Sequence, residues 1–236
     1  MPLIYLDLET TSLDGTARIV QLAYKNTETG ETVNEFFKPP IAISFGAMAT
    51  HHVTEQMVAN KPAFDRSLQK ETLITLLQDS ILVAHNASFD IGILKTEGVE
   101  TPKHIDTLRV ARHLIESDSY QLQYLRYSLA LNIEAAAHDA LGDILVLEKL
   151  FEKLINVANE KFNFSSMDQA IEKFVELTQT PVLIKKFKFG KYQGKTIAEV
   201  ASSDKSYLNW LLDKKLENQS TQDENIIYTL KHYLDD

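Results

Sequence analysis

The 236-residue sequence predicts an α/β fold in which a mixed β-sheet is flanked by helices. Three strand-like runs come first, and the turn-rich segment NTETG between the second and third is typical of a hairpin connection. Short apolar runs then alternate with segments of helical periodicity, as in sheets whose strands are joined by helices. A hairpin followed by this alternation indicates a mixed sheet rather than an all-parallel one, and the sequence contains no glycine-rich dinucleotide loop or P-loop.

Each element follows from its local pattern. β-branched and other apolar residues predict strands at residues 3–8, 18–25, 31–38, 81–84 and 104–105. Helical periodicity predicts helices at residues 54–59, 65–78, 88–97, 108–115, 122–130, 140–159 and 166–177. The helix at 88–97 is expected to have Ser88 as its capping residue and to end before Gly98.

The composition changes near residue 180, which predicts a domain boundary. A run rich in lysine and aromatic residues, KKFKFGKYQGK at 185–195, is followed by helices rich in Leu and Tyr. Tyr207, Leu208, Trp210 and Leu211 in those helices are expected to be ordinary packing residues. We therefore predict a main domain at residues 1–160, a helical linker at 161–180 and a small α+β accessory domain at 181–236.

The composition is that of a folded globular protein, with 44% hydrophobic and 24% charged residues. No apolar stretch has the length of a membrane span and no signal-peptide pattern is present, so we expect a cytoplasmic protein without a membrane partner. The absence of cysteine excludes disulfides and thiolate zinc sites. The net charge of −9 is uneven: residues 181–236 hold nine Lys and eight Asp or Glu, a charge of +1, so the first 180 residues carry −10.

The first strand carries two acids, Asp7 and Glu9, in the motif DLETT. Because side chains alternate along a strand, both carboxylates lie on one face, roughly 6–7 Å apart. A pair of this kind is common on a solvated strand face, so by itself it carries little information.

Two later motifs change this interpretation. In AHNASFD, Asp90 falls in the first turn of a predicted helix, where the helix dipole favours its ionised form. In AHDALGD, Asp143 lies on a late helix and His138 precedes that helix. Each of these motifs alone is also explained by an ordinary capped helix start, with Asp139 and Asp143 four positions apart.

Taken together, the four carboxylates would repel one another unless cations lie between them. Oxygen ligands without cysteine favour Mg²⁺ or Mn²⁺, and two such ions about 3.5–4 Å apart can clamp a phosphodiester during in-line displacement. An imidazole titrates at about pH 6.5, which suits His138 to take a proton from the attacking water. Asp139 is a rival ligand that is expected to face away.

These motifs resemble those of the DEDDh superfamily of 3′→5′ exonucleases, which have a ribonuclease H-like fold. DLETT, HNASFD and HDALGD occur in that order, and the His of the third motif is typical of the histidine branch. Residues 37–62 resemble the family's linking segment and residues 104–112 the element after the second motif, so the similarity covers about residues 1–160. Residues 187–212 resemble the C-terminal segment of exodeoxyribonuclease X-type proteins, the group to which the chain is most similar.

The resemblance implies that Asp7 bridges two Mg²⁺ or Mn²⁺ ions, with Glu9 and Asp143 completing the shell of one ion and Asp90 supporting the other through water. It implies His138 as general base and release of nucleoside 5′-monophosphates from DNA 3′ ends, either single-stranded or frayed duplex, with a role in DNA repair or end trimming. It also places four residues at the 3′-terminal nucleotide: Thr10, Leu13, His51 and Phe89.

Several alternatives remain open from the residues alone. Phe89 is equally explained as a core residue, and Leu13 as a cap on the core rather than a wedge at the 3′ end. The lysines of the 185–195 run are consistent with a single-strand groove or with the solvated face of a strand whose phenylalanines point inward: Lys185, Lys186, Lys188, Lys191 and Lys195. An exoribonuclease of the same superfamily, a polymerase-associated proofreading subunit and a silent binding module are the alternative functions.

Overall fold

The computed structural model describes residues 1–134, 137–218 and 223–235, and this part of the chain forms two compact units. The first unit is Met1–Thr178 and the second is Gln179–Asp236. In the described residues, no helix combines the length and apolar character needed to span a membrane.

A five-stranded sheet forms the centre of the first unit. Its strands are β1 (Leu3–Thr10), β2 (Ile19–Asn26), β3 (Thr32–Phe36), β4 (Ile81–Ala84) and β5 (His104–Asp106). Their spatial order is β3-β2-β1-β4-β5, with β1–β2 and β2–β3 antiparallel and β1–β4 and β4–β5 parallel. The predicted mixed sheet flanked by helices is therefore confirmed, and β1 is its central strand.

The helices of the first unit are α1 (Phe45–His51), α2 (Glu55–Val58), α3 (Leu68–Leu76), α4 (Ala87–Thr96), α5 (Thr107–Leu114), α6 (Leu122–Ser128), α7 (Ala140–Phe162) and α8 (Met167–Gln179). A short 3-10 turn, Phe64–Arg66, precedes α3 and shortens the single helix predicted at 65–78. The sequence patterns did not predict α1, whose start is capped by the Ser44 side chain.

The sheet separates two hydrophobic layers because side chains alternate along its strands. On one face Tyr5 packs against α7, where its ring meets that of Phe151 edge to face at 5.7 Å. On the other face Leu6 and Leu8 pack with residues of α3 and α4 such as Leu73 and Leu94. Asp7 and Glu9 share the face of Tyr5, so they point toward the side of the sheet covered by α7.

The helix α8 is part of the first core. Phe174 is fully buried and its ring contacts Phe151 at 5.3 Å, and the Thr178 hydroxyl accepts a hydrogen bond from the backbone N–H of Asp106 on β5. The segment predicted as a linker at 161–180 therefore lies almost entirely within the first compact unit, because α8 buries an apolar face there.

The second unit contains α9 (Ile197–Ser203), α10 (Lys205–Asn218) and α11 (Glu224–Asp235) around its own small core. Phe187 is buried in that core together with Leu208 and Leu230. The preceding lysine-rich run forms a single isolated bridge, Lys186 to Thr196, and turns through Gly190 and Gly194 at positive φ. It is therefore not the regular strand that its alternating pattern indicated.

Candidate active site

Three carboxylates meet on the α7 side of the sheet. Asp7 and Glu9 come from β1 and Asp143 from the first turn of α7, and one oxygen of each lies within 4.8 Å of the others. The sequence motifs predicted that four carboxylates converge, and the structure brings together the three that come from the first and third motifs. Their convergence arises because α7 crosses the sheet face on which the alternation of β1 places both acids.

The electrostatics of this cluster are unfavourable without a cation. Burial, followed by the charges of Asp90 and Asp143, raises the pKa of Asp7 well above its ordinary value. Burial, followed by the charges of Asp143 and Asp139, raises the pKa of Glu9 to about 7. Burial also raises the pKa of Asp143, although hydrogen bonds from Gln123 and the His138 backbone act in the opposite direction.

Asp90 lies beside the cluster but is not one of the three convergent carboxylates. It is buried in the first turn of α4, and burial raises its pKa to about 8 despite hydrogen bonding by the backbone at Asp90 and Leu8. Desolvation of this buried carboxyl therefore acts against the helix dipole, which was expected to favour its ionised form.

The loop before α4 turns through a left-handed residue. Asn86, not Ser88, is the N-cap of α4; it adopts φ 67°, and its side chain makes no capping hydrogen bond. Its backbone N–H donates instead to the Asp106 carboxylate at 3.0 Å. Asn is one of the few non-glycine residues that adopt this left-handed conformation readily, and the helix that carries Asp90 begins directly after it.

His138 lies in the turn before α7 and its side chain is exposed. It adopts φ 57°, a conformation in which His is enriched over most residues. Two residues later α7 begins, with Asp139 as its N-cap accepting a hydrogen bond from the backbone N–H of Gly142. An exposed imidazole at this turn is free to reach a group held beside Asp143.

Asp139 is occupied by protein contacts. One of its oxygens caps α7, and the other accepts a 2.7 Å hydrogen bond from the side-chain amide of Gln21. Gln21 is fully buried on β2, directly opposite Glu9 in the sheet register. Asp139 does not face away from the cluster as expected, because its charge is among the causes that raise the pKa of Glu9.

Two glutamines that sequence reasoning missed hold the site in place. Gln21 joins β2 to the start of α7, and Gln123 on α6 donates a hydrogen bond to the carboxylate of Asp143. Both contacts join residues far apart in the chain, so no local spacing reveals them. The one available signal was the polar Gln21 within the apolar run that begins β2.

The predicted contacts to the terminal nucleotide have different environments. Thr10 and His51 are buried: the Thr10 hydroxyl donates to the Ser12 carbonyl at 2.7 Å, and both ring nitrogens of His51 bond to the backbone, at Thr10 and Val53. These contacts tie α1 to the end of β1. Burial lowers the pKa of His51, so its ring is neutral near pH 7.

Leu13 and Phe89 differ from that buried pair. Leu13 is 87% exposed, so it does not cap the core. Phe89 is only partly buried, packed against the core layer of α3 and α4, and part of its ring surface remains accessible. Its two interpretations, core anchor and stacking surface, are both compatible with this position.

All five lysines of the 185–195 run are exposed on the second unit. Phe187 is buried, whereas Phe189 is 42% exposed, so the phenylalanines do not both point inward. Lys191 makes an ion pair with Asp204 at 3.1 Å. Nothing in these positions excludes contact with phosphates.

The donor set of the cluster fits a hard divalent cation. Carboxylate oxygens are the ligands preferred by Mg²⁺ and Mn²⁺, and ionised acids this close to one another require a compensating positive charge. The described residues supply no lysine or arginine partner to Asp7, Glu9 or Asp143. A mixed sheet with such a cluster on its central strand defines an α/β protein of ribonuclease H-like fold with an acidic site whose oxygen donors suit a divalent cation.

The chain belongs to the exonuclease family whose model, described as "Exonuclease", matches residues 4–151. A second model, the exodeoxyribonuclease X-like C-terminal domain, matches residues 187–215. The two matches lie within the first and second compact units respectively.

Individual proteins agree with this assignment. The chain is 32% identical to exodeoxyribonuclease 10 of Escherichia coli over 98% of this chain and 97% of that protein. It is 28% identical to the DNA polymerase III subunit epsilon of Buchnera aphidicola over 72% of this chain and 83% of that protein. A solved structure of exonuclease X in complex with 5′-overhanging duplex DNA matches with a TM-score of 0.57 and 29% identity, covering 75% of this chain and 99% of that one.

Proposed function

We propose that the protein is a 3′→5′ exodeoxyribonuclease that hydrolyses DNA from its 3′ end and releases nucleoside 5′-monophosphates. The observation that carries the proposal is the convergence of the Asp7, Glu9 and Asp143 oxygens within 4.8 Å. The family match and the exodeoxyribonuclease relatives support DNA as the substrate.

Asp7, Glu9 and Asp143 would hold two Mg²⁺ or Mn²⁺ ions, with Asp90 supporting one of them. Bound divalent ions supply Lewis-acid activation of water and neutralise charge on the phosphoryl group. The buried carboxylates then serve as oxygen donors that remain ionised, and Gln123 fixes the orientation of Asp143 by its hydrogen bond.

His138 would act as general base. Its ring is exposed just before α7, and its backbone is hydrogen-bonded to Asp143; both observations support a role in taking a proton from the attacking water. Attack of this water on the phosphorus of the last phosphodiester would break the bond to the 3′ oxygen of the penultimate nucleotide. That oxygen leaves and takes up a proton, so the shortened strand ends in a 3′-hydroxyl and the terminal nucleotide is released with its 5′-phosphate.

The 3′-terminal nucleotide is proposed to lie between Leu13 and Phe89. The exposed Leu13 is suited to wedge a terminal base away from a frayed partner, and Phe89 offers part of its ring for stacking. Thr10 and His51 contribute through backbone contacts that shape the end of β1. A free-standing enzyme that trims DNA ends during repair is consistent with the second unit, whose match is to the exodeoxyribonuclease X-like C-terminal domain.

The test uses a DNA oligonucleotide and an RNA of the same sequence, each labelled at the 5′ end. We expect stepwise shortening of the DNA from the 3′ end in Mg²⁺, none in chelator, and a loss of more than about 100-fold in Asp7→Asn. Asp79→Asn makes the same chemical change at an exposed loop residue and should retain full activity. Activity that persists in chelator or in Asp7→Asn would refute the mechanism, and faster degradation of the RNA would assign the enzyme to exoribonucleases.

A further inference from the structure

The second unit carries a row of contacting aromatic rings that extends from the edge of its core to an exposed tryptophan. Trp210 on α10 is 53% exposed and lies against Tyr207, with ring centroids 5.6 Å apart and planes at 35°. Tyr207 in turn meets the edge of the Tyr192 ring at 4.9 Å. We call these three residues, together with Lys191 and Lys195, the aromatic–lysine surface.

The row runs from a partly buried position to an exposed one: Tyr207 packs against the core, with its ring 6.0 Å from that of Phe187, whereas Trp210 faces solvent. Tyr207 and Trp210 are three positions apart and therefore share a helix face, whereas Leu208 and Leu211 are buried in the core of this unit. The expectation that Trp210 is an ordinary packing residue is therefore wrong. A half-exposed indole supported from beneath by another ring is a preformed contact surface, since the stack is already ordered before any ligand arrives.

Cations flank the same rings. The Lys191 ammonium lies 4.7 Å from the centroid of Tyr192 and 5.9 Å from that of Tyr207, and the Lys195 ammonium lies 5.5 Å from Tyr192. The segment 185–195 holds five lysines and no acid, and two acids, Glu199 and Asp204, lie close to these lysines. The surface therefore combines exposed π-faces with a local excess of positive charge.

We propose that the aromatic–lysine surface binds the single-stranded part of the DNA substrate, in addition to the carboxylate site. Unpaired bases present the π-faces that Trp210 can stack on, and their phosphates are complementary to Lys191 and Lys195. In a base-paired duplex the faces of the bases are stacked on one another and are not accessible. An apolar protein surface would offer no negative charge to the lysines. This inference rests on the proposed function for its ligand, since it takes DNA as the substrate.

Trp210 is the single tryptophan of the chain, so intrinsic fluorescence excited near 295 nm reports this surface directly. The full chain is titrated in chelator, where no hydrolysis is expected, with an oligo(dT) of about 20 nucleotides. We expect saturable quenching, because a stacked base quenches the indole, and a much smaller change with a blunt duplex of the same length. DNA binding without any change in tryptophan emission would overturn the proposal.

Variants provide the second measurement, made in an Asp7→Asn background so that the oligonucleotide stays intact. Trp210→Ala should raise the oligo(dT) Kd between about fivefold and 100-fold, and Trp210→Phe should recover most of the affinity. Leu216→Ala, which removes a 43% exposed leucine from the same helix, is the matched control and should bind like the parent. Equal Kd values for the Trp210→Ala and Leu216→Ala chains would refute the assignment.

The two proposals fail separately. Quenching by oligo(dT) with no nucleotide release in Mg²⁺ would reject the exonuclease but keep the single-strand surface. Nucleotide release by a chain whose Trp210 emission does not change with oligo(dT) would keep the exonuclease and reject the single-strand surface. Tryptophan emission that changes with protein concentration in the absence of DNA would assign the surface to self-association and overturn the proposal.

Discussion

Replacing Glu9 by glutamine should stabilise the metal-free protein at alkaline pH while removing its exonuclease activity. The substitution keeps the shape of the side chain and removes one charge from the carboxylate cluster. Because the carboxylates repel one another without cations, we expect them to lower the free energy of unfolding of the metal-free protein. The same charges are what would bind divalent ions.

The magnitude follows from the pKa of Glu9, which burial and then Asp143 and Asp139 raise from 4.5 to about 7. At about 1.36 kcal/mol per pH unit, this rise corresponds to roughly 3 kcal/mol. Below pH 4.5 the carboxyl is protonated in both the folded and the unfolded chain, so Glu9→Gln has no effect there. Between pH 4.5 and about 7 the unfolded chain releases its proton first, so the wild type loses stability relative to the variant as the pH rises.

The assay is thermal unfolding in chelator, followed by far-ultraviolet circular dichroism from pH 4 to pH 8. For a chain of this size, roughly 3 kcal/mol corresponds to a Tm increase of roughly 6–12 °C at pH 8, with no increase at pH 4. Mg²⁺ at about 100 times its Kd should raise the free energy of unfolding of the wild type by about 2.7 kcal/mol and that of the variant by less. The difference between their Tm values should therefore become smaller.

The exposed Glu71→Gln on α3 makes the same chemical change away from the cluster and should leave the pH profile unchanged. A Glu9→Gln Tm that equals the wild-type Tm at pH 8 would show that the cluster carries no electrostatic penalty. An increase of equal size at pH 4 and pH 8 would attribute the effect to packing rather than to charge.

Three further predictions concern the base, the lysines and α8. His138→Gln should lower the rate of nucleotide release by about 10²–10⁴-fold with little change in DNA affinity, and an unchanged rate would exclude it as general base. Replacing the five lysines of the 185–195 run by glutamine should weaken DNA binding and flatten the plot of log Kd against log salt; an unchanged slope would exclude phosphate contacts. Phe174→Ala should cost about 3–5 kcal/mol of unfolding free energy in urea titrations, whereas a loss below about 1 kcal/mol would mean that α8 is a dispensable linker.

Much of the site could be predicted from the sequence because its signals are local. Alternation along β1 places Asp7 and Glu9 on one face whatever the rest of the chain does, and this face is the one observed. The order of the three motifs indicated that Asp143 joins them, and the structure brings its oxygen within 4.8 Å. The roles of these residues as ligands and of His138 as base stay predictions.

Other features had no local signal. The two supporting glutamines, Gln21 and Gln123, act on residues more than a helix away in the chain, and the raised pKa of Asp90 depends on how deeply α4 is buried. Local reasoning assigned Ser88 as a helix cap and Trp210 as an ordinary packing residue. In the structure Asn86 is the cap and Trp210 is 53% exposed, because contacts with neighbouring elements determine both positions.

By itself the sequence determined the mixed α/β architecture and the family motifs. It also determined that the two acids of β1 lie on the same face of the strand, since backbone periodicity and residue type act over a few positions. The tertiary structure decided which side chains hold the carboxylates, that α8 belongs to the first unit, and that an indole faces solvent on the second. Those outcomes depend on desolvation and on contacts between distant segments, and neither quantity exists until the chain has folded.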